Sequence, residues 1–215
     1  MKTEVVFILD RSGSMSGLED DTIGGFNSTL DKQRKIEGEV LVSTVLFDHE
    51  SVVIHDRVPI ADVKPLTQDE YFVRGNTALL DAIGDAIKHI KIVHKYAREE
   101  DRPEKTLFVI TTDGMENSSR KFSYNDIKKL IEEQQAKGWE FLFLGANIDS
   151  VEVAGRMGIQ ASRAVNYRND ARGNRRKYEA VSHFMADMRS SASMSAPVGD
   201  DWRKEVDEDF NSRKD

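Results

Sequence analysis

Three stretches of the chain are apolar without alternation: Val5–Leu9, the "TLFVIT" run inside Lys105–Gly114, and "FLFL" inside Trp139–Ala146. Runs of this kind, closed by polar residues, suit strands buried on both faces. Between them the apolar spacing changes to three and four. Ile23, Phe26 and Leu30 predict a helix from Leu18 to about Ile36, stopped before Gly38. Leu79, Ile83, Ile87, Ile90 and Val93 predict a long amphipathic helix over Ala78 to Arg98. Ile127, Leu130 and Ile131 predict another over Ser123 to Lys137, ended by Gly138. "EVLVSTVLF" and "SVVIHDRV" are β-rich and separated only by "DHE", so they read as an antiparallel hairpin at a sheet edge. A short helix in "NIDSVEVAGRMG", a last short strand in "RAVNY" and a last helix over Tyr178 to Met188 complete the pattern. Strand alternating with helix predicts a doubly wound α/β fold, with a mainly parallel central sheet, one antiparallel edge strand and helices on both faces. Residues 1–189 form the expected domain. From Ser190 the text turns to Ser, Ala and Met and then to mixed charge, so 190–215 is expected to be a flexible charged tail, with one helical turn around Trp202 free to dock on a partner.

Composition narrows the functional classes. A length of 215 residues favours one well-packed domain. The net charge of -7 argues against general nucleic-acid binding and against adhesion to anionic membranes. With no cysteine, disulfides, thiolate metal sites and a thiol nucleophile are all excluded. The opening "MKTEVVFILD" has too short an apolar run for a signal sequence and no later window spans a membrane, so a cytoplasmic location is expected.

In doubly wound sheets, sites form where loops leave the carboxyl ends of the strands. Asp10, Ser12 and Ser14 follow the first strand, Asp113 follows "LFVITT", and Thr77 stands at the entrance to the long helix. A nucleophile elbow needs serine at the centre of Gly-x-Ser-x-Gly, but the centre of "GSMSG" is Met15. Neither glycine-rich phosphate-loop pattern occurs here. An aspartyl nucleophile at Asp10, working with Mg²⁺ as a phosphohydrolase, is a third reading, weakened by Ser12 standing where such enzymes place a second acid. The fourth is a divalent-metal site built from hydroxyls and carboxylates. Ser12 and Ser14, two apart, can face one ion from a single turn. An ion held mainly by neutral oxygens stays electron-poor and attracts an outside carboxylate. The bland alternative is that the hydroxyls cap helices and the acids merely end strands.

Taken together, "DRSGSM" (Asp10 to Met15), "GNTALLDAI" (Gly75 to Ile83) and "TTDGMEN" (Thr111 to Asn117) resemble the metal-ion-dependent adhesion site of von Willebrand factor A-type (vWA) domains. The likeness runs from Lys2 to Tyr167, or to about Met188 with the last helix. It implies Mg²⁺ (or Mn²⁺) on top of the sheet, held directly by the hydroxyls of Ser12, Ser14 and Thr77 and mostly through waters by Asp10 and Asp113. It also implies a partner protein that presents an Asp or Glu side chain to the ion, and no catalysis; the missing signal and the absence of cysteine are what place the chain, by analogy, with the intracellular branch of the family. A structural subunit with a vestigial metal site is the remaining alternative.

His89 and His94 lie five apart, the wrong spacing for a shared zinc ion. Arg163, Arg168, Arg172, Arg175, Arg176 and Lys177 form a basic cluster, read as a solvated helix face with phosphate or nucleic-acid contact as the sharper alternative. Glu116 and Asn117 either line the rim of the metal site or serve as turn residues.

Overall fold

The computed structural model describes residues 1–191 and 198–213. Six strands form one sheet: β1 (Lys2–Asp10), β2 (Glu39–Phe47), β3 (Ser51–Pro59), β4 (Lys105–Thr112), β5 (Glu140–Gly145) and β6 (Ala164–Asn166). Their order is β3-β2-β1-β4-β5-β6, and every pairing is parallel except β2 with β3. The antiparallel edge is the predicted hairpin.

The uninterrupted apolar runs are buried on both faces, as a sheet covered on two sides requires. Val5, Phe7 and Leu9 of β1 enter one core with Leu107 and Val109 of β4 and Leu142 and Leu144 of β5. That core is covered by α1 (Glu19–Arg34) and α5 (Ala171–Ser190). Val6, Ile8, Phe108, Ile110, Phe141 and Phe143 enter the other, under α2 (Leu79–Tyr96), α3 (Tyr124–Gln135) and α4 (Ser150–Arg156). Gly25 lets α1 meet α5 closely: a Cβ there would lie 2.1 Å from the Tyr178 ring.

Two expectations are corrected. α5 begins at Ala171, seven residues before the predicted start, because Asp170 caps it by accepting from the Gly173 N–H at 2.8 Å. The flexible tail is also replaced, in the described part, by structure. Asp201–Arg203 forms a 3₁₀ turn and α6 (Lys204–Ser212) packs on α5, with Trp202 only 2 % exposed and its ring edge-on to Phe184 at 5.5 Å. Residues 192–197, the Ser, Ala and Met-rich start of the expected tail, lie outside the described residues.

The basic cluster explains the difference. Arg163 pairs with Glu140 (3.0 Å) and donates to the Val198 carbonyl (2.9 Å). Arg172 pairs with Asp209 (2.5 Å) and Arg176 with Glu205 (2.5 Å), while Arg168 donates to the Arg213 carbonyl. These cations fasten the C-terminal segment to the body, although the Arg172 side chain also remains largely open to solvent. The expectation of a solvated face holds for Arg172 and Arg175, which are exposed, and is corrected for Arg163 and Lys177, which are buried.

Candidate functional site

Strand order reverses between β1, which leads on to β2, and β4 on its other side. This is the switch point at which a doubly wound sheet opens a crevice. Asp10 ends β1, and Asp113 directly follows β4. Their register places them side by side: the Asp113 N–H donates to Asp10 Oδ2 at 3.3 Å.

Asp10 is 1 % exposed and shapes the first loop. Its Oδ1 accepts from the Ser12 N–H at 2.7 Å, and its Oδ2 accepts from the Thr112 hydroxyl at 2.6 Å. The loop then turns through Gly13–Met15, placing the Ser12 and Ser14 hydroxyl oxygens 3.3 Å apart. Thr77 arrives from the segment before α2 and donates to Ser12 Oγ at 3.0 Å. Gly114 completes the ring, since a Cβ there would sit 3.3 Å from Ser14 Oγ and 3.9 Å from Thr77 Oγ1. All five predicted side chains therefore come to one place. Asp10, Ser12, Thr77 and Asp113 are buried, and Ser14 is exposed at the top.

The capping alternative fails for the hydroxyls. Neither the Gly13–Met15 turn nor α2 has a side-chain cap, whereas α3 carries a full capping box at Ser123 and Asp126. The start of α2 is served from the loop after β4: Glu116 Oε2 accepts from the Leu80 N–H (3.0 Å), and Asn117 Oδ1 from the Thr77 N–H (3.0 Å). Glu116 and Asn117 thus hold the loop to the helix, the turn-residue role.

Several contributors were missed in the sequence. Asn147 after β5 and Asn169 after β6 each donate to one oxygen of Asp113. Asn147 holds a left-handed backbone, φ 57°, which asparagine tolerates better than most residues. The available signal was position, because both follow strand ends. Asp48 after β2 ties the first two loops together, accepting from Arg11 Nε (2.9 Å) and Arg74 Nε (2.8 Å). Burial works to raise the Asp48 carboxyl, but the bonds from Arg74 and the Glu50 N–H and the charges of Arg11 and Arg74 outweigh it, holding it below its usual value.

Burial, the largest influence, lifts Asp113 to about 6; the Asn147 bond and the Lys177 charge oppose this, and the Asp10 charge adds to it. Lys177 on α5 is fully buried, and burial drives it down to about 7 against the pull of Asp113, Asp10 and Asp21. Its expected place in a solvent-facing basic cluster is thereby corrected.

The donor set suits a hard divalent ion. In an octahedral Mg²⁺ shell with bonds of about 2.0–2.1 Å, neighbouring ligands lie about 3 Å apart, and the three hydroxyls are spaced at 3.0 and 3.3 Å. Among the described residues no three His, Cys, Asp or Glu side chains converge, so hydroxyls would have to lead any such shell. His89 and His94 go to separate partners, Asp56 and Glu4.

No protein-family model and no curated protein matches the sequence. Solved structures do match. The vWF domain of the type V pili tip protein Mfa5 from Porphyromonas gingivalis is 10% identical over 92% of this chain and 98% of its own, with a TM-score of 0.62. The fold is that of a vWA domain. The VWA domain of SpRpn10 is similar at 8% identity, 92% and 100% coverage and TM-score 0.54. So is proximal thread matrix protein 1 from the mussel byssus, in a structure described as having a zinc-occupied MIDAS motif, at 12% identity, 86% and 46% coverage and TM-score 0.54. This chain spans less than half the length of the mussel protein. At these identities the likeness concerns the vWA fold alone.

Proposed function

We propose that this chain is a divalent-cation-dependent protein-binding module without catalysis of its own. Ser12, Ser14 and Thr77 hold Mg²⁺ (or Mn²⁺) directly, Asp10 and Asp113 support it through waters, and the exposed side beside Ser14 admits an Asp or Glu of a partner protein. When bound, the ion supplies an electrophilic charge that an acidic side chain can complete. The observation that carries this reading is the uncapped trio of hydroxyls, spaced as adjacent ligands and set beside two buried carboxylates. The zinc-occupied motif in the mussel protein supports it by analogy.

A phosphohydrolase using Asp10 needs a carboxylate oxygen free to attack. Both Asp10 oxygens face inward onto Ser12, Thr112 and Asp113 donors, which weighs against that reading. Among the described residues no helix is long and apolar enough to cross a membrane. A cytoplasmic location is carried as part of the proposal, and cell fractionation tests it.

Ser12→Ala and Thr77→Ala should each weaken Mn²⁺ binding, read by electron paramagnetic resonance, by about tenfold or more while leaving the circular dichroism spectrum unchanged. Asp113→Ala should abolish Mg²⁺-dependent, EDTA-sensitive capture of a partner. Parent-like Mn²⁺ binding by both hydroxyl variants would refute the ligand assignment.

A further inference from the structure

α5 carries a buried cation that the binding reading leaves unused. Lys177 is 0% exposed. Its Nζ donates to Asn174 Oδ1 at 2.6 Å and lies 4.4 Å and 4.7 Å from the ring centres of Tyr167 and Tyr178. The Tyr167 hydroxyl in turn donates to the Thr112 carbonyl at 3.4 Å, one residue before Asp113. The acidic groups whose charge acts on Lys177 are Asp113, Asp10 and Asp21. An ammonium has three donors, and burying it against one amide oxygen and two ring faces is costly unless nearby negative charge offsets the loss of water.

We propose that Lys177 is an internal counter-cation of the metal site, balancing Asp10 and Asp113 in the empty site and competing with the divalent ion for their charge. This rests on the binding reading above. With both cations present the two carboxylates face three positive charges, in a buried setting where salt screens little. The resting site therefore holds its ion weakly, and a partner's carboxylate restores the balance by adding a negative charge. Ion and partner then bind cooperatively, each raising the affinity for the other. Lys177 touches neither ion nor partner; it is a positioning residue for charge, carried by α5 and linked to the end of β4 through the Tyr167 ring and the Thr112 carbonyl.

The sign of one change separates this from a merely structural role, because damage to the scaffold weakens ion binding whereas loss of a competing charge strengthens it. Mn²⁺ titrations of the full chain at pH 6.5, where the ammonium form of Lys177 is well populated, compare the parent with Lys177→Met, Lys177→Gln and Ser12→Ala. Lys177→Met, matched in length but uncharged, is expected to bind Mn²⁺ about fivefold tighter or more. Lys177→Gln keeps a donor for Asn174 and should behave alike, and it decides the matter if the Met variant does not fold. Unchanged or weaker affinity in the folded variant overturns the role of Lys177. If Ser12→Ala binds as tightly as the parent, the site reading itself fails, whatever Lys177 does.

Discussion

Asp113 is gripped on both oxygens by the amides of Asn147 and Asn169, so its carboxylate is fixed in direction before any ligand arrives. The result is a preorganised acid in a site whose only other charged member at the ion position is Asp10, the rest being neutral hydroxyls, an arrangement that would keep a bound cation short of negative charge. At the same scale Lys177 leaves a mark on stability. Its native value of about 7 lies below the ordinary 10.5, so between those limits the unfolded chain binds more protons than the native one. Stability of the metal-free protein should then rise with pH from about 7 to 10, by up to about 1.4 kcal/mol per unit relative to Lys177→Met. Urea midpoints of parent and variant across that range measure it; parallel curves would mean that Lys177 titrates normally.

Among the elements, α6 departs most from the sequence reading. Its residues are 204–212 of a mixed-charge stretch that composition alone assigns to a tail. The deciding contacts lie far away in sequence: Trp202 against Phe184, Val206 in the core of the α1 and α5 face, and acids that pair with arginines on α5. A side chain of that size buried beside an aromatic partner contributes strongly to packing. Trp202→Ala should lower stability by about 3 kcal/mol or more in urea denaturation. A midpoint equal to that of the parent would return the segment to the status of a mobile tail.

At the scale of the whole molecule, the sheet's change of direction between β1 and β4 draws loops from β1, β4, β5 and β6 onto one spot. An ion bound there links segments separated by more than a hundred residues, so its binding should be felt as global stability. At a hundredfold excess over its Kd, Mg²⁺ should stabilise the parent by about 2.7 kcal/mol, seen as a rise in Tm that Ser12→Ala lacks. Equal melting of both proteins with and without Mg²⁺ would place no ion at this loop. The sequence by itself determined the strands, the long helices, the antiparallel edge and the short local string Asp10, Ser12 and Ser14, because period, turn chemistry and close spacing are written locally. Thr77 and Asp113 joined that string in the sequence only through the family resemblance. The tertiary structure alone decided the contacts by which they reach it, that Asn147 and Asn169 hold Asp113, that Lys177 is buried while its arginine neighbours pair with the C-terminal segment, and that α6 packs. Each of those rests on strand order and on contacts between distant residues, and a buried lysine such as Lys177 reads in sequence like any solvated one until the fold removes its water.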